Sequence, residues 1–317
     1  MNPSLCLLRL KTCWSEGDVA SWTEYIRAYM ATEREIRADM IRFSHLCYER
    51  NLLVAMDGNL SAKLPDGNIL CTQAGCHKGL LTDEHLVVID KRGKKVRGRG
   101  EPTSEMSMHL ACYRSRPDIS AVVHAHPPMA IAFTIAGQTL ARCVLPEVVM
   151  TLGAVPTLDY ATTGTEDLAE SVGVAMRTHD AVLMDRHGAV TVGVDLLEAF
   201  CRLETLEHTA LITRHARDLG EVRQLPSHEA EKLRRMGLLR YGGPPESVAA
   251  AHQPGADLPE ACMGCSGCAS PSAGGLGDAS EVRLARLVAA AGPPPVPDSM
   301  EEVVYEEVVR ALGSDAG

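Results

Sequence analysis

Ala121-Val122-Val123-His124-Ala125-His126-Pro127-Pro128 is the stretch that decides how this chain folds. The run is apolar and β-branched until it meets two prolines, which cannot donate to a strand ladder and so end it. Alternate residues of a strand share a face, so His124 and His126 point the same way. Taken alone, such a pair is either two histidines on a polar strand face or two metal ligands. A second extended run, Val182-Leu-Met-Asp-Arg-His187-Gly188, carries a third imidazole to a strand end beside a glycine turn. Three neutral nitrogen ligands that leave coordination positions open make a catalytic rather than a structural metal site. Thr103-Ser104-Glu105 adds a carboxylate that can move protons or occupy an open metal position.

Outward from this stretch, the pattern mixes hairpins with helices. Residues from about Trp22 to Arg50 have a helical apolar period through Ile26, Met30, Ile36, Met40 and Leu46. Leu60–Leu64 alternates as a strand, Pro65-Asp66-Gly67-Asn68 turns the chain, and Ile69–Thr72 returns. Leu86–Asp90 is another short strand, and Lys91–Arg99 reads as an exposed hairpin or loop. Glu105–Arg116 is helical with Met106, His109, Leu110 and Tyr113 on one side, and Leu196–Gly220 is a long helix ending at glycine. The Thr103-Ser104 pair also reads as a helix N-cap, and backbone N–H groups at a helix start bind anions equally well. The other histidines, His109 among them, are read as surface or helix residues. An α/β domain ending near Tyr241 accounts for these elements.

Composition narrows the function. The net charge of −10 over 317 residues argues against a nucleic-acid surface or an anionic-lipid surface. No stretch approaches the roughly 18 consecutive apolar residues of a membrane helix. The first residues lack a secretory leader pattern, and the eleven cysteines are scattered apart from one cluster. A reducing cytoplasmic setting is expected, with most cysteines acting as small buried hydrophobes or surface thiols.

Gly58-Asn59-Leu60-Ser61, Thr103-Ser104-Glu105, Ser115-Arg-Pro-Asp118, Val122-Val-His124-Ala-His126, Tyr160-Ala-Thr-Thr-Gly164-Thr-Glu and His187-Gly188 together resemble the class II (zinc) aldolase/adducin family, in the family's order, over roughly residues 33–220. The resemblance implies a three-layer α/β/α fold around a mostly antiparallel central sheet, and a homotetramer with active sites between subunits. It implies one Zn2+ per subunit on His124, His126 and His187, with Glu105 as acid/base and reversible fourth ligand. Gly58, Asn59, Gly75, Thr103 and Ser104 would line a pocket for the substrate phosphate. Ala74 departs from the family, which often has a hydroxyl residue there, and this leaves phosphate affinity or substrate choice open. The implied reaction cleaves a deoxyketose 1-phosphate of the L-fuculose 1-phosphate kind into dihydroxyacetone phosphate and lactaldehyde. Sugar-phosphate epimerase or dehydratase chemistry on the same metal shell is the alternative, and a non-catalytic adducin-like scaffold is another. A second proton-transfer group would come from a tyrosine of a neighbouring subunit or a tail; Tyr241 is a candidate by location, packing its simpler reading.

Four segments follow: an N-terminal extension over 1–32, the catalytic domain over 33–241, a Gly/Pro/Ala/Ser-rich linker over 242–280, and short amphipathic helices over 281–317. A linker ending in an amphipathic helix resembles the peptides that send enzymes to bacterial microcompartment shell proteins. A helix packing on its own oligomer is the other reading. Cys262, Cys265 and Cys268 fall in the linker, and lacking a fourth cysteine they are not counted as a metal site.

Overall fold

The computed structural model describes residues 31–140, 143–245 and 247. Readings made for the segment before residue 31, for most of the linker, for the tail helices and for Cys262, Cys265 and Cys268 lie outside these residues. The first described helix, α1 (Glu33–Glu49), starts at a capping box. The Thr32 hydroxyl accepts from the Glu35 N–H at 3.3 Å, and the Glu35 carboxylate accepts from the Thr32 N–H at 2.8 Å. The helix read from Trp22 therefore begins, as far as it is described, at Glu33.

Strands β1 (Asn59–Lys63), β2 (Ile69–Thr72), β3 (Leu86–Ile89), β4 (Lys95–Arg97), β5 (Ala121–Ala125), β6 (Thr157–Leu158), β7 (Ala181–Met184) and β8 (Gly188–Gly193) form one sheet. Its order is β4-β3-β2-β1-β5-β8-β7-β6. Every pairing is antiparallel except β6 with β7. The Lys91–Arg99 segment is thus the exposed hairpin rather than the loop, with β4 as its return strand.

Period-2 alternation divides the sheet between two cores. Leu60, Leu70, Val123 and Leu183 face one side, where Met40 and Phe43 of α1 and Phe200, Leu203 and Leu206 of α6 (Leu196–Leu219) cover them. Val122, Val182, Val190 and Val192 face the other, under Met106 and Leu110 of α2 (Met106–Ser115) and Leu168 and Val172 of α5 (Glu166–Met176). Both faces being covered makes the molecule three layers, α/β/α, as expected. Helix α3 (Pro128–Ile135) leaves β5 directly after the two prolines, and α4 (Pro146–Thr151) packs on α7 (Ser227–Tyr241). The sequence did not mark α7. Its Gly237 lies so close to α4 that an added Cβ would stand 2.2 Å from the Met150 carbonyl oxygen. Burial pushes the thiols of Cys47, Cys71 and Cys112 up to about 12, which suits their reading as inert packing residues.

A buried ion network ties the layers together. Arg116, 2% exposed, grips Asp118 through Nε at 2.8 Å and Nη2 at 2.7 Å, and reaches Asp180 through Nη1 at 2.8 Å. Asp180, just before β7, also faces Arg202 of α6 at 3.1 Å. Burial works to raise the Asp180 carboxyl, but the Arg202 and Arg116 guanidinium groups outweigh it and hold it below the usual carboxylate range. A carboxylate depressed in the folded state adds stability above its unfolded value of about 3.9 and loses it as pH falls. Removing it takes a shared carboxylate from two buried cations, leaving, among the described residues, Arg116 only Asp118 and Arg202 only Glu198 as ion-pair partners. Denaturant unfolding of Asp180→Ala should show a loss of about 3–5 kcal/mol at neutral pH. That difference from the parent should shrink below about pH 4, where the parent loses the same contribution.

Candidate metal centre

His124 is the penultimate residue of β5, its side chain fully enclosed. Its Nδ1 lies 2.9 Å from the Ala189 carbonyl oxygen of the neighbouring strand β8. A carbonyl only accepts, so Nδ1 carries the proton and Nε2 presents a lone pair. His126 follows the strand, its N–H bonded to the Leu52 carbonyl oxygen at 2.9 Å. The helix beyond it is anchored by the Glu207 carboxylate, which accepts from the Met129 and Ala130 N–H groups at 2.9 Å each. The Nδ1 of His126 faces the Asp57 carboxylate at 3.5 Å, so its Nε2 also points inward as a lone pair.

His187 arrives on the tight turn between β7 and β8. Arg186 adopts a left-handed φ of 56° there, a conformation that costs an ordinary residue roughly 1–2 kcal/mol. The Arg186 N–H donates to the Thr134 hydroxyl at 3.0 Å, and the His187 N–H closes the turn onto the Met184 carbonyl oxygen at 3.1 Å. Gly188 is needed beside it. A Cβ there would meet the Ala125 oxygen at 2.5 Å, His126 Cδ2 at 2.8 Å and His124 Cε1 at 3.0 Å.

One ligand nitrogen from each of His124, His126 and His187 lies within 4.8 Å of the others, the group among the described residues suited to hold a metal. The Nε2 atoms of His124 and His126 are 3.2 Å apart. Glu105 closes the set, Oε2 at 3.2 Å from His124 Nε2 and Oε1 at 3.2 Å from His187 Nε2. Glu105 Oε1 is buried with no hydrogen-bond partner. The Asn59 amide donates to Glu105 Oε2 at 2.8 Å, which favours the ionised carboxylate. Burial, with His124 and His187 nearby, pushes His126 down to about 4, so this ring is neutral at neutral pH. Lone pairs and a carboxylate converging in one enclosed space call for a cation between them, and three imidazoles with a carboxylate suit a divalent transition metal.

Glu105 takes the N-cap position of α2 without capping it, its carboxylate being turned to the histidines. The capping reading of Thr103 reduces to a 3.4 Å contact from the Glu105 N–H to the Thr103 hydroxyl, and Ser104 is exposed. Pairing of Asn59 with His124 across β1 and β5 sets Gly58 and Asn59 beside the histidines. Gly58 has a φ of 63°, and a Cβ there would meet the His124 oxygen at 2.6 Å. Gly75, φ 66°, has open space around it. The bridge between Gln73 and Pro102 brings the Gly75 loop next to Thr103. The Asn59 side chain is committed to Glu105 and His109, so only its second amide hydrogen is left for a phosphate. Tyr241 stands exposed at the end of α7.

Two neighbours escaped the sequence reading. Lys78, 2% exposed, donates to the Met56 and Cys76 carbonyl oxygens at 2.9 and 2.8 Å, tying the loop before Gly58 to the loop after Gly75. Burial lowers its ammonium below the usual lysine range. His109, read as a surface or helix residue, is on a helix but wholly buried behind Asn59.

The family model for the class II aldolase and adducin N-terminal domain matches residues 38–213. An L-fuculose phosphate aldolase of Methanococcus vannielii is 37% identical over 172 residues, 54% of this chain and 92% of that protein. A 3-oxo-tetronate 4-phosphate decarboxylase of Escherichia coli K12 is 32% identical over 210 residues, 65% of this chain and 98% of that one. A solved structure of an L-fuculose 1-phosphate aldolase superposes with a TM-score of 0.60 at 30% identity, covering 65% of this chain and 97% of that one.

The crowding at Gly188 gives a test of the metal centre that leaves every ligand in place. Gly188→Ala should displace the His124 and His126 rings and weaken zinc binding at least about tenfold by competition titration, the scale seen when ligand orientation is disturbed.

Proposed function

The chain belongs to the class II aldolase and adducin N-terminal domain family, and from that premise we propose that it is a metal-dependent carbon–carbon lyase acting on a sugar phosphate, with Zn2+ held by His124, His126 and His187. The convergence of three imidazole nitrogens on the Glu105 carboxylate carries this reading. A divalent ion bound there supplies Lewis-acid stabilisation for the negative charge that develops on the substrate ketone oxygen. Glu105 moves the proton. Breaking the C3–C4 bond of a ketose 1-phosphate leaves an electron pair on C3 beside the ketone, and the C4 hydroxyl gives up its proton as C4 becomes the aldehyde. Glu105, acting as the acid, returns a proton to C3 and completes dihydroxyacetone phosphate. Asn59 holds Glu105 in place through a 2.8 Å amide hydrogen bond. The base for the C4 hydroxyl is assigned to a tyrosine of a neighbouring subunit in a homotetramer.

Gly58, Asn59, Gly75, Thr103 and Ser104 are proposed to take the phosphate, with the buried Lys78 ammonium adding positive potential behind their loops. The preferred substrate is an L-fuculose 1-phosphate-like deoxyketose, giving lactaldehyde as the second product. The decarboxylase relative supports a second reading on the same residues. Loss of CO2 from a 3-oxo-tetronate 4-phosphate leaves an electron pair on the carbon beside the ketone and ends, after protonation, on the same dihydroxyacetone phosphate. The catalytic unit is placed at residues 33–241 in the cytoplasm, with residues 242–280 as linker and 281–317 as a peptide for microcompartment shell proteins.

Zinc-loaded and zinc-stripped protein should be offered L-fuculose 1-phosphate, rhamnulose 1-phosphate and 3-oxo-tetronate 4-phosphate, with lactaldehyde and CO2 measured. Zinc-dependent lactaldehyde supports the aldolase, CO2 the decarboxylase, and neither product removes the lyase assignment. Glu105→Gln should lose about 10²–10⁴ in turnover and still bind zinc on the three imidazoles, with lower affinity. A fusion of residues 281–317 to a fluorescent protein should co-purify with shell proteins, and failure to associate would remove the tail's proposed partner.

A further inference from the structure

Behind Glu105 runs a line of hydrogen bonds that the proposed reaction does not itself use. Asn59 Nδ2 is 2.8 Å from Glu105 Oε2, and Asn59 Oδ1 is 2.6 Å from His109 Nε2. His109 Nδ1 is 2.7 Å from the Ser61 hydroxyl, which is 2.8 Å from the Tyr113 hydroxyl. Ser61 and His109 are fully buried, Asn59 3% exposed and Tyr113 8%. Water has no access to supply alternative partners, so each group must be satisfied by its neighbour.

The chemistry of the end groups fixes the direction of the whole line. A carboxylate only accepts, so Asn59 turns its NH2 toward Glu105 and its carbonyl oxygen toward His109. His109 must then carry its proton on Nε2, which leaves Nδ1 as an acceptor. Ser61 donates to that nitrogen and in turn accepts from Tyr113. Burial pushes His109 down to about 3, in keeping with a neutral ring that has a single N–H to place.

We infer that His109, set by Ser61, is a positioning residue that locks the Asn59 amide with its NH2 toward Glu105, and so holds the carboxylate against the metal-binding histidines. The inference rests on the reading of Glu105 as metal ligand and proton carrier. With the imidazole proton on Nδ1 instead, a lone pair would face the Asn59 carbonyl oxygen and the amide would turn over. Its carbonyl oxygen would then confront the Glu105 carboxylate and push it off its position. The register of β1 against β5 explains why one short segment serves both ends. Asn59 and Ser61 are alternate residues on the same face, so the strand beside His124 also reaches the ring four residues along α2 from Glu105.

The test uses the full chain. Nitrogen-15 NMR of histidine-labelled protein should show His109 protonated at Nε2 and bare at Nδ1, and a proton on Nδ1 would overturn the inference. His109→Leu should weaken zinc binding, titrated into metal-free protein, about 10–100-fold, the range for groups that orient metal ligands. In the same variant kcat should fall while KM for the sugar phosphate stays within about twofold, since the effect lies on Glu105 and not on phosphate contacts. His109→Gln, whose side-chain NH2 can still donate to Asn59, should recover most of the zinc affinity. Equal losses in the Leu and Gln variants, or a lowered melting temperature with unchanged zinc affinity, would reduce His109 to a packing role and sink the proposal. Should His109→Leu fail to fold, the wild-type NMR and the His109→Gln titration still decide. Neither the NMR nor the zinc titration needs a substrate, so a protein that turns over none of the sugar phosphates but shows these effects keeps the relay and loses the proposed reaction.

Discussion

Electrostatic repulsion among acceptors packed into one small space is the constraint on which the rest of this structure depends. Three imidazole nitrogens lie within 4.8 Å of one another, and Glu105 reaches two of these rings at 3.2 Å, with too few protons to go round. Such a group collapses or turns outward unless each member is held from behind. The fold supplies a backing for most of them. The β8 backbone holds His124, Asp57 faces His126, the Arg186 turn delivers His187, and Asn59 braces Glu105. His187 Nδ1 is the exception, buried with no hydrogen-bond partner.

The sheet order is what makes this backing possible. Placing β5 between β1 and β8 sets Asn59, His124 and the Gly188 turn in adjacent strands at one sheet end. Residues distant in sequence become neighbours through ladder pairing alone, whose register is fixed because both sheet faces are buried. The ion network of Arg116, Asp118, Asp180 and Arg202 draws on the same strands from their other ends. It joins the end of α2 to the start of β7 and to α6, so the helix that begins with Glu105 is fixed at both ends.

Much of this was legible in the residues. Alternation placed His124 and His126 on one face, the double proline ended β5 where expected, and the Pro65–Asn68 turn paired β1 with β2. His109 was not legible. A histidine among Met106, Leu110 and Tyr113 on a helix looks like a tolerated polar residue, and its role depends on Asn59 and Ser61, which a different strand brings to it. Lys78 was missed for a related reason. A lysine in a Gly-containing loop reads as solvated, and only the approach of the Met56 and Cys76 carbonyl oxygens makes an enclosed ammonium tolerable. The N-cap reading of Thr103 and Ser104 missed because helix signals describe the backbone, whereas Glu105 gives its carboxylate to groups beyond the helix.

The three rings are not enclosed alike. The side chains of His124, His187 and His126 are 0%, 8% and 23% exposed. Of the three rings His126 is the one most open to solvent, with the half-exposed Asp57 carboxylate beside it. A chelator entering from solvent would meet this ligand first and His124 last, so demetallation would begin as a partial detachment at the rim.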